Sequence, residues 1–497
     1  MIRVILTALV GFVLPPFLVR HMSPVEYSAW VLILQLSAYV SLLDLGLQTA
    51  IAKFLAEYDS TDDWAACSRV LSSSFRILSA AAVAGMGLIL VLTWQVPRIF
   101  QQMPPRMIGE VRASLLLIGL SVALGLPFNA FLASFIGLQR YGFPTVLMTI
   151  SKVASSGTLV GLLLMHATLL QLSLVMAAFN LATAVFQYLG WRRFGKQRVG
   201  FSLRLFDTAF AIRIGKYCSA LSIWTVAGLL ISGLDTIIVG HYDFRDTGYY
   251  AIATNVTNFM MLVVGSLFGP LIPAVSSIQT FGNSKQIGDV AISSTRYCAL
   301  MLWIIGLPIL FGSYPLLSLW VGRDYALQSA PYLQVLVLGN VIRQFGYPYA
   351  LVVVATGKQH LATIAGIAEA LVNVALSVWL VQRIGAIGVA IGTFAGAFVS
   401  IGLHLTVSMH YTRPTILIQR PRFIVEGLLR PLVCIGPSLI LLLFWKRSAA
   451  LPAPPTSLAI WAVATMGLAW GIGLAQSERR KLWGTFCRLV YFSNARA

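Results

Sequence analysis

Apolar stretches of about 18 residues or more recur along the whole 497-residue chain, the length a helix needs to cross a bilayer. Within lipid every backbone polar group must be paired internally, so only helices and closed barrels can span. The runs here are continuous rather than alternating, which excludes a transmembrane β-barrel. The prediction is an all-α polytopic membrane protein with about fourteen transmembrane helices. The first six lie near 3–20, 28–51, 76–96, 113–136, 145–166 and 169–190. The next six lie near 214–240, 248–275, 297–318, 331–355, 361–382 and 386–408, and the last two near 423–445 and 457–476. The first run has no extended basic lead and no small-x-small cleavage pattern, so it reads as a span rather than a signal peptide.

A net charge of +19 raises the possibility of a nucleic-acid partner, and the placement of the charge removes it. With both termini in the cytoplasm, 23 of the 35 Lys and Arg fall in inside loops or tails and nine outside. Lys152, Arg343 and Arg430 fall within spans. That bias orients an inner-membrane protein, and it spreads the charge over many short loops instead of one patch. The five cysteines, Cys67, Cys218, Cys298, Cys434 and Cys487, form no CxxC pair and none faces outside, so neither a zinc site nor an oxidising compartment is called for.

Sliding the chain on itself by 220 residues lays "LVRHMSPVEYSAW" (18–30) over "IVGHYDFRDTGYY" (238–250), His21 upon His241. The same offset pairs Arg76 with Arg296, Gly119 with Gly339, Ala130 with Ala350, Gly137 with Gly357 and Gln139 with Gln359. Chance would match leucines, but a chain with six histidines would seldom match two of them in register. The reading is a duplication: two pseudo-symmetric six-helix lobes, 1–190 and 214–408, joined by a basic cytoplasmic linker at 191–213. Residues 409–497 add a C-terminal helix pair and a cytoplasmic tail. An even span count makes the repeats parallel, as in transporters that rock two bundles about a central site. For "FSLRLFDTAFAIRIGKY" (201–217) two readings stand open, an amphipathic helix on the anionic leaflet or a solvated loop.

Asp44 is the most informative single residue. A carboxylate deep in a span costs about 2.5–3.5 kcal/mol on insertion scales, so it faces protein or water. Read as one helix, Ser37, Ser41, Asp44 and Gln48 stack on a single face, opposite Val31, Leu34, Leu42 and Leu45. Such a stripe predicts a cavity-lining helix; the alternative is a helix-end carboxylate near the headgroups. The repeat-related span 8 carries Thr254, Asn255, Thr257 and Asn258, followed by Gly265, Gly269, Pro270 and Pro273. Lys152, Asp235, Arg343 and Glu369 are further intramembrane ionisable residues. For each, lining a transport path stands beside a bland reading: snorkelling for Lys152 and Arg343, internal pairing for Asp235 and Glu369. A cationic path suits a phosphate-bearing substrate, and a desolvated carboxylate suits coupling to a proton gradient. No GxxxxGK[ST], HExxH or GxSxG occurs, so no ATPase, zinc-protease or serine-hydrolase chemistry is expected. The expectation is a transporter without cofactors, not an enzyme.

These residues also carry a family resemblance. "SPVEYSAWVLILQLSAYVSLLDLGLQTAIAKFLAEY" (23–58), with Pro24, Tyr27, Trp30, Asp44, Gly46, Ala50 and Lys53, resembles the polysaccharide transporter family. That family lies within the multidrug/oligosaccharidyl-lipid/polysaccharide exporter superfamily. "LDTIIVGHYDFRDTGYYAIA" (234–253) looks like the family's entry into span 8. "AEALVNVALSVWLVQRIGAIGVAIGT" (368–393), with Asn373, Gly385 and Gly388, looks like its span 11–12 junction. The resemblance implies a flippase for undecaprenyl-pyrophosphate-linked oligosaccharides in the bacterial inner membrane, serving O-antigen, capsule or exopolysaccharide assembly by alternating access. It implies a V-shaped cavity lined by spans 1, 2, 7 and 8 and a proton or sodium gradient as the drive. A polysaccharide polymerase and a chain-length regulator are the expected protein partners, beside membrane lipids. On this reading Lys152 and Arg343 meet phosphate, while Ser41, Asp44, Gln48, Asp235, Asn255, Asn258 and Glu369 complete the path. A multidrug exporter of the same superfamily, a lipid II flippase and a membrane-embedded polymerase are the competing readings.

Overall fold

The computed structural model describes residues 2–195, 199–202, 205–208, 210–215, 217–218 and 233–432, with isolated positions between 463 and 479. Every element among the described residues is helical. The first eight α-helices are α1 (Ile2–His21), α2 (Pro24–Ser41), α3 (Leu47–Asp59), α4 (Trp64–Ile99), α5 (Pro105–Gly125), α6 (Asn129–Gly137), α7 (Gly142–Leu164) and α8 (Leu169–Gly190). Nine helical segments among the described residues are long and apolar enough to cross a membrane. They correspond to expected spans 2–6, 8, 9, 11 and 12. Span 1 is α1, Ile2–His21. Span 10 appears as the helices Arg323–Phe345 and Tyr347–Ala355. Most of spans 7, 13 and 14 lies outside the described residues, as do Cys434 and Cys487.

The sequence reading places the span ends too close together. Span 3, expected at 76–96, is a single 36-residue helix, about 54 Å long at 1.5 Å per residue. Its extra N-terminal turns mix core residues with serines and Arg69 and begin where Asp63 Oδ1 accepts the Ala66 N–H at 2.8 Å, an N-cap that hydropathy alone does not register. Span 2, expected as one helix over 28–51, is broken. A short 3₁₀ turn, Leu42–Asp44, ends α2, and Leu45 (φ 49°) and Gly46 (φ 78°) follow in the left-handed region before α3 starts. That conformation strains a leucine and suits a glycine. The four-residue polar stripe therefore does not lie on one continuous face: Ser37 and Ser41 ride α2, Asp44 sits in the turn and Gln48 opens α3.

The chain forms two compact units, Met1–Asn255 with Val374–Val389, and Val256–Asn373 with Ala390–Ala497. In the first, the core joins Ile51, Phe54 and Leu55 of α3, Val70 and Leu71 of α4, and Phe131 and Phe135 of α6. Gly137 allows the α3–α6 approach, because a Cβ there would stand 2.8 Å from the Ala52 carbonyl oxygen. In the second, Ile287, Ala291, Ile292, Tyr349, Val352 and Val353 gather with Met409, Ile416 and Phe423.

Part of the linker is seated on α4. Ser68 Oγ accepts from the Gly200 N–H at 2.8 Å, Ser72 Oγ from Ser202 N–H at 3.2 Å and Ser73 Oγ from Asp207 N–H at 3.0 Å. Between these bonds Phe201 packs edge-on against Phe75 and Phe131, with ring centroids 5.0 and 5.3 Å away. Its described part is thus neither a plain solvated loop nor purely a leaflet-bound helix, since Phe210 and Ile214 are buried in the same core.

The offset of 220 recurs in backbone detail. Asp63 and Asn283 each cap a long helix through a side-chain oxygen. The residues before them, Asp62 (φ 56°) and Gly282 (φ 68°), are both left-handed. The 3₁₀ turn Leu126–Phe128 that separates α5 from α6 corresponds to the break at Gly346 between Arg323–Phe345 and Tyr347–Ala355.

Candidate functional site

In the first unit, four α-helices and a 3₁₀ turn, together with the start of α6, wall a cavity of ≈ 350 Å³. Ser41 enters from α2, Ser121 and Gly125 from α5, Leu126 from the 3₁₀ turn and Asn129 from α6. From α7 come Met148, Ser151, Lys152 and Ser155, and from α8 Asn180, Thr183 and Gln187. The α7 and α8 residues recur at spacings of three and four, so one face of each helix meets the cavity. The hydroxyls are mostly tied down: Ser121 to the Ile118 carbonyl at 2.7 Å, Thr183 to that of Phe179 at 2.7 Å and Ser155 to that of Lys152 at 3.0 Å. Asn180 Nδ2 donates to Ser121 Oγ at 3.0 Å, and Ser151 and Thr183 share a hydrogen bond. Two predicted site residues, Ser41 and Lys152, thus share one cavity. Sequence reasoning passes over the Asn180, Thr183, Gln187 stripe in "MAAFNLATAVFQYLG" (176–190), although its spacing of 3 and 4 is the same signal that singles out Ser41.

Asp44 is half-buried in its turn. Its Oδ1 is buried and has no hydrogen-bond partner among the described residues, and Gln48 is its polar neighbour. Lys53 turns elsewhere, its ammonium 4.5 Å from the centre of the Tyr217 ring. Asp235 opens the helix Asp235–Tyr242. It is 4% exposed and its Oδ2 accepts from the Tyr250 hydroxyl at 3.3 Å. The Gly233 carbonyl nearby takes Gln35 Nε2 at 3.1 Å and the Tyr39 hydroxyl. Asn255 and Asn258 both lie on the helix Thr247–Phe268, the first half-buried and the second exposed.

In the second unit Arg343 Nε donates to Glu369 Oε1, and Arg343 Nη1 to Asn340 Oδ1 at 3.1 Å. Glu369 is 3% and Arg343 17% exposed. Glu369 is therefore internally paired, with Arg343 rather than an unspecified partner, and Arg343 does not snorkel. Its Nη2 is buried with no partner among the described residues. Breaking such a pair from one side costs about 3–5 kcal/mol, because it leaves a lone buried charge. Nearby Thr393 Oγ1 donates to Asn373 Oδ1 at 3.3 Å. No group of three metal-ligating side chains occurs among the described residues. Outside the spans, burial pushes the Asp243 carboxyl up from its ordinary value, with Asp246 reinforcing the shift.

No family model matches the chain. A curated relative from Shigella flexneri named "Putative O-antigen transporter" is 20% identical over 384 residues, covering 76% of this chain and 88% of the relative. Among solved structures, the lipid II flippase MurJ in an inward closed conformation aligns over 94% of this chain and 96% of its own, with TM-score 0.70 and 13% identity. An inward-facing multidrug resistance MATE transporter of the MOP superfamily aligns over 82% of this chain and 95% of its own, with TM-score 0.66 and 14% identity. The chain shares the fold of these two solved structures. The polysaccharide-transporter resemblance read from residues 23–58, 234–253 and 368–393 agrees with both comparisons, and the fold makes this a multi-pass membrane protein.

Proposed function

We propose that the protein is a flippase that moves undecaprenyl-pyrophosphate-linked oligosaccharide units across the bacterial inner membrane for surface polysaccharide assembly. The observation that carries this reading is the extent of the fold match: a lipid II flippase covers 94% of the chain, where a multidrug transporter covers 82%. The curated relative's name points the same way. On this reading the duplicated halves, 1–190 and 214–408, work by alternating access, both termini are cytoplasmic, and a proton or sodium gradient drives the cycle. Asp44, Gln48, Asn255 and Asn258 offer polar contacts to sugar or water, with Asp235 behind them on the Tyr250 hydroxyl. Arg343, 17% exposed beside its Glu369 pair, turns the remaining charge of that site toward the substrate phosphate. A polymerase and a chain-length regulator act on the delivered units.

Expression in a strain lacking its O-antigen flippase tests the proposal. Restored surface polysaccharide, with unchanged drug susceptibility and no new glycosidic bond formed by purified protein, is the expected result. Drug resistance without restored polysaccharide would instead make it a multidrug exporter. Bond formation would make it a polymerase.

A further inference from the structure

We propose that the cavity of the first unit is a binding site for a small inorganic anion, held by Lys152. Lys152 is the eleventh of 23 residues in α7, so about 15 Å of helix separates it from the nearer end, more than a lysine stem spans. Snorkelling cannot solvate it. Its side chain is accessible rather than packed away. It shares a helix face with Met148, Ser151 and Ser155, all of which line the cavity, so the cavity is where its charge is met.

What it meets there is uncharged. No acidic residue lines the cavity, and Lys152 is in no ion pair among the described residues. The lining offers hydroxyls and amides in place of a carboxylate. Gln187, 5% exposed, leaves its Oε1 without a partner among the described residues. A carboxamide can turn over within the same outline, which would aim its N–H groups inward. A mid-span cation lined by polar, uncharged groups, without a resident counter-charge, is completed by an anion, to which the second Asn180 Nδ2 hydrogen and a turned Gln187 amide can donate while the hydroxyls stay bonded to carbonyls. At ≈ 350 Å³ the space is at the lower end for small-molecule pockets, and suits a hydrated halide or one phosphate group better than an oligosaccharide diphosphate. The inference does not depend on flipping, since it concerns occupancy of the resting protein.

The test is the thermal midpoint of the purified full chain in neutral-lipid nanodiscs, with gluconate replaced by chloride or by inorganic phosphate at constant ionic strength. A saturable rise is expected, since a ligand of the native state stabilises it by mass action. Lys152→Arg keeps the rise. Lys152→Met raises the half-saturating concentration at least roughly ten-fold, the loss of one charge-assisted hydrogen bond. Removing a mid-span charge eases insertion, so this variant is expected to fold. Gln187→Leu, on another wall, is the second variant and shifts the same concentration upward. A third arm adds polyprenyl pyrophosphate. A Lys152-dependent rise with that lipid alone would assign the anion to a lipid headgroup and overturn the inorganic-anion proposal. No saturable rise with any probe, or equal rises in wild type and Lys152→Met, overturns it as well.

Discussion

Asp63 and Asn283, 220 positions apart, are equivalent helix caps: each side-chain oxygen accepts the backbone N–H three residues on, at 2.8 and 3.0 Å, and starts a long helix. The residue before each is left-handed. Such a cap contributes about 0.5–2 kcal/mol. Asp63→Ala and Asn283→Ala should therefore each destabilise the purified protein by about 1 kcal/mol in denaturant unfolding, while Asp63→Asn should be nearly neutral. Exchanging the preceding residues discriminates further. Asp62→Gly is expected to be neutral or mildly stabilising, and Gly282→Val destabilising, because a β-branched residue resists positive φ.

The Arg343–Glu369 pair sets a different expectation. Either Arg343→Met or Glu369→Leu strands a buried charge and should lower stability by about 3–5 kcal/mol, read as loss of monodisperse protein on size-exclusion chromatography. The double variant should recover most of that loss. Recovery of folding without recovery of polysaccharide export would separate the pair's structural part from a functional one at Arg343.

Gly46 is predicted to matter through its backbone. Its φ of 78° makes Gly46→Val strained, so the turn holding Asp44 should straighten or shift. Loss of surface polysaccharide at normal membrane abundance is expected, as it is for Asp44→Leu. Normal export in both variants would count against a role for the turn.

Asp243 supplies a pH dependence. Its folded-state carboxyl is raised mainly by burial, so the native state favours the protonated form. The stabilisation from that group is complete below the ordinary value of 3.8 and is lost as pH rises through the raised one. Asp243→Asn should melt above wild type at pH 7, and the two should converge as pH falls into the carboxyl range.

Much of the fold is legible in the sequence because lipid imposes a strict rule on length and polarity. Spans such as Gly142–Leu164 and Gln359–Ile384 emerge within a few residues of their expected ends for that reason. The first turns of α4 and the break at Leu42–Gly46 are not legible, because capping and backbone handedness decide them and hydropathy does not. For the candidate site, Lys152 stands out as a charge in an apolar run. Its cavity partners on α5 and α8 are ordinary serines, threonines and amides, and only packing gives them a common target. The Arg343–Glu369 contact joins residues 26 apart in sequence, on separate helices, and no local pattern encodes it.

Ser68, Ser72 and Ser73 hold the linker by its peptide groups, beside the Asp207 carboxylate, which pairs with Arg69 at 3.8 Å and accepts the Phe210 N–H at 3.1 Å. Whatever side chains stand at positions 200, 202 and 207, one imino acid is barred from all three because it has no hydrogen to give.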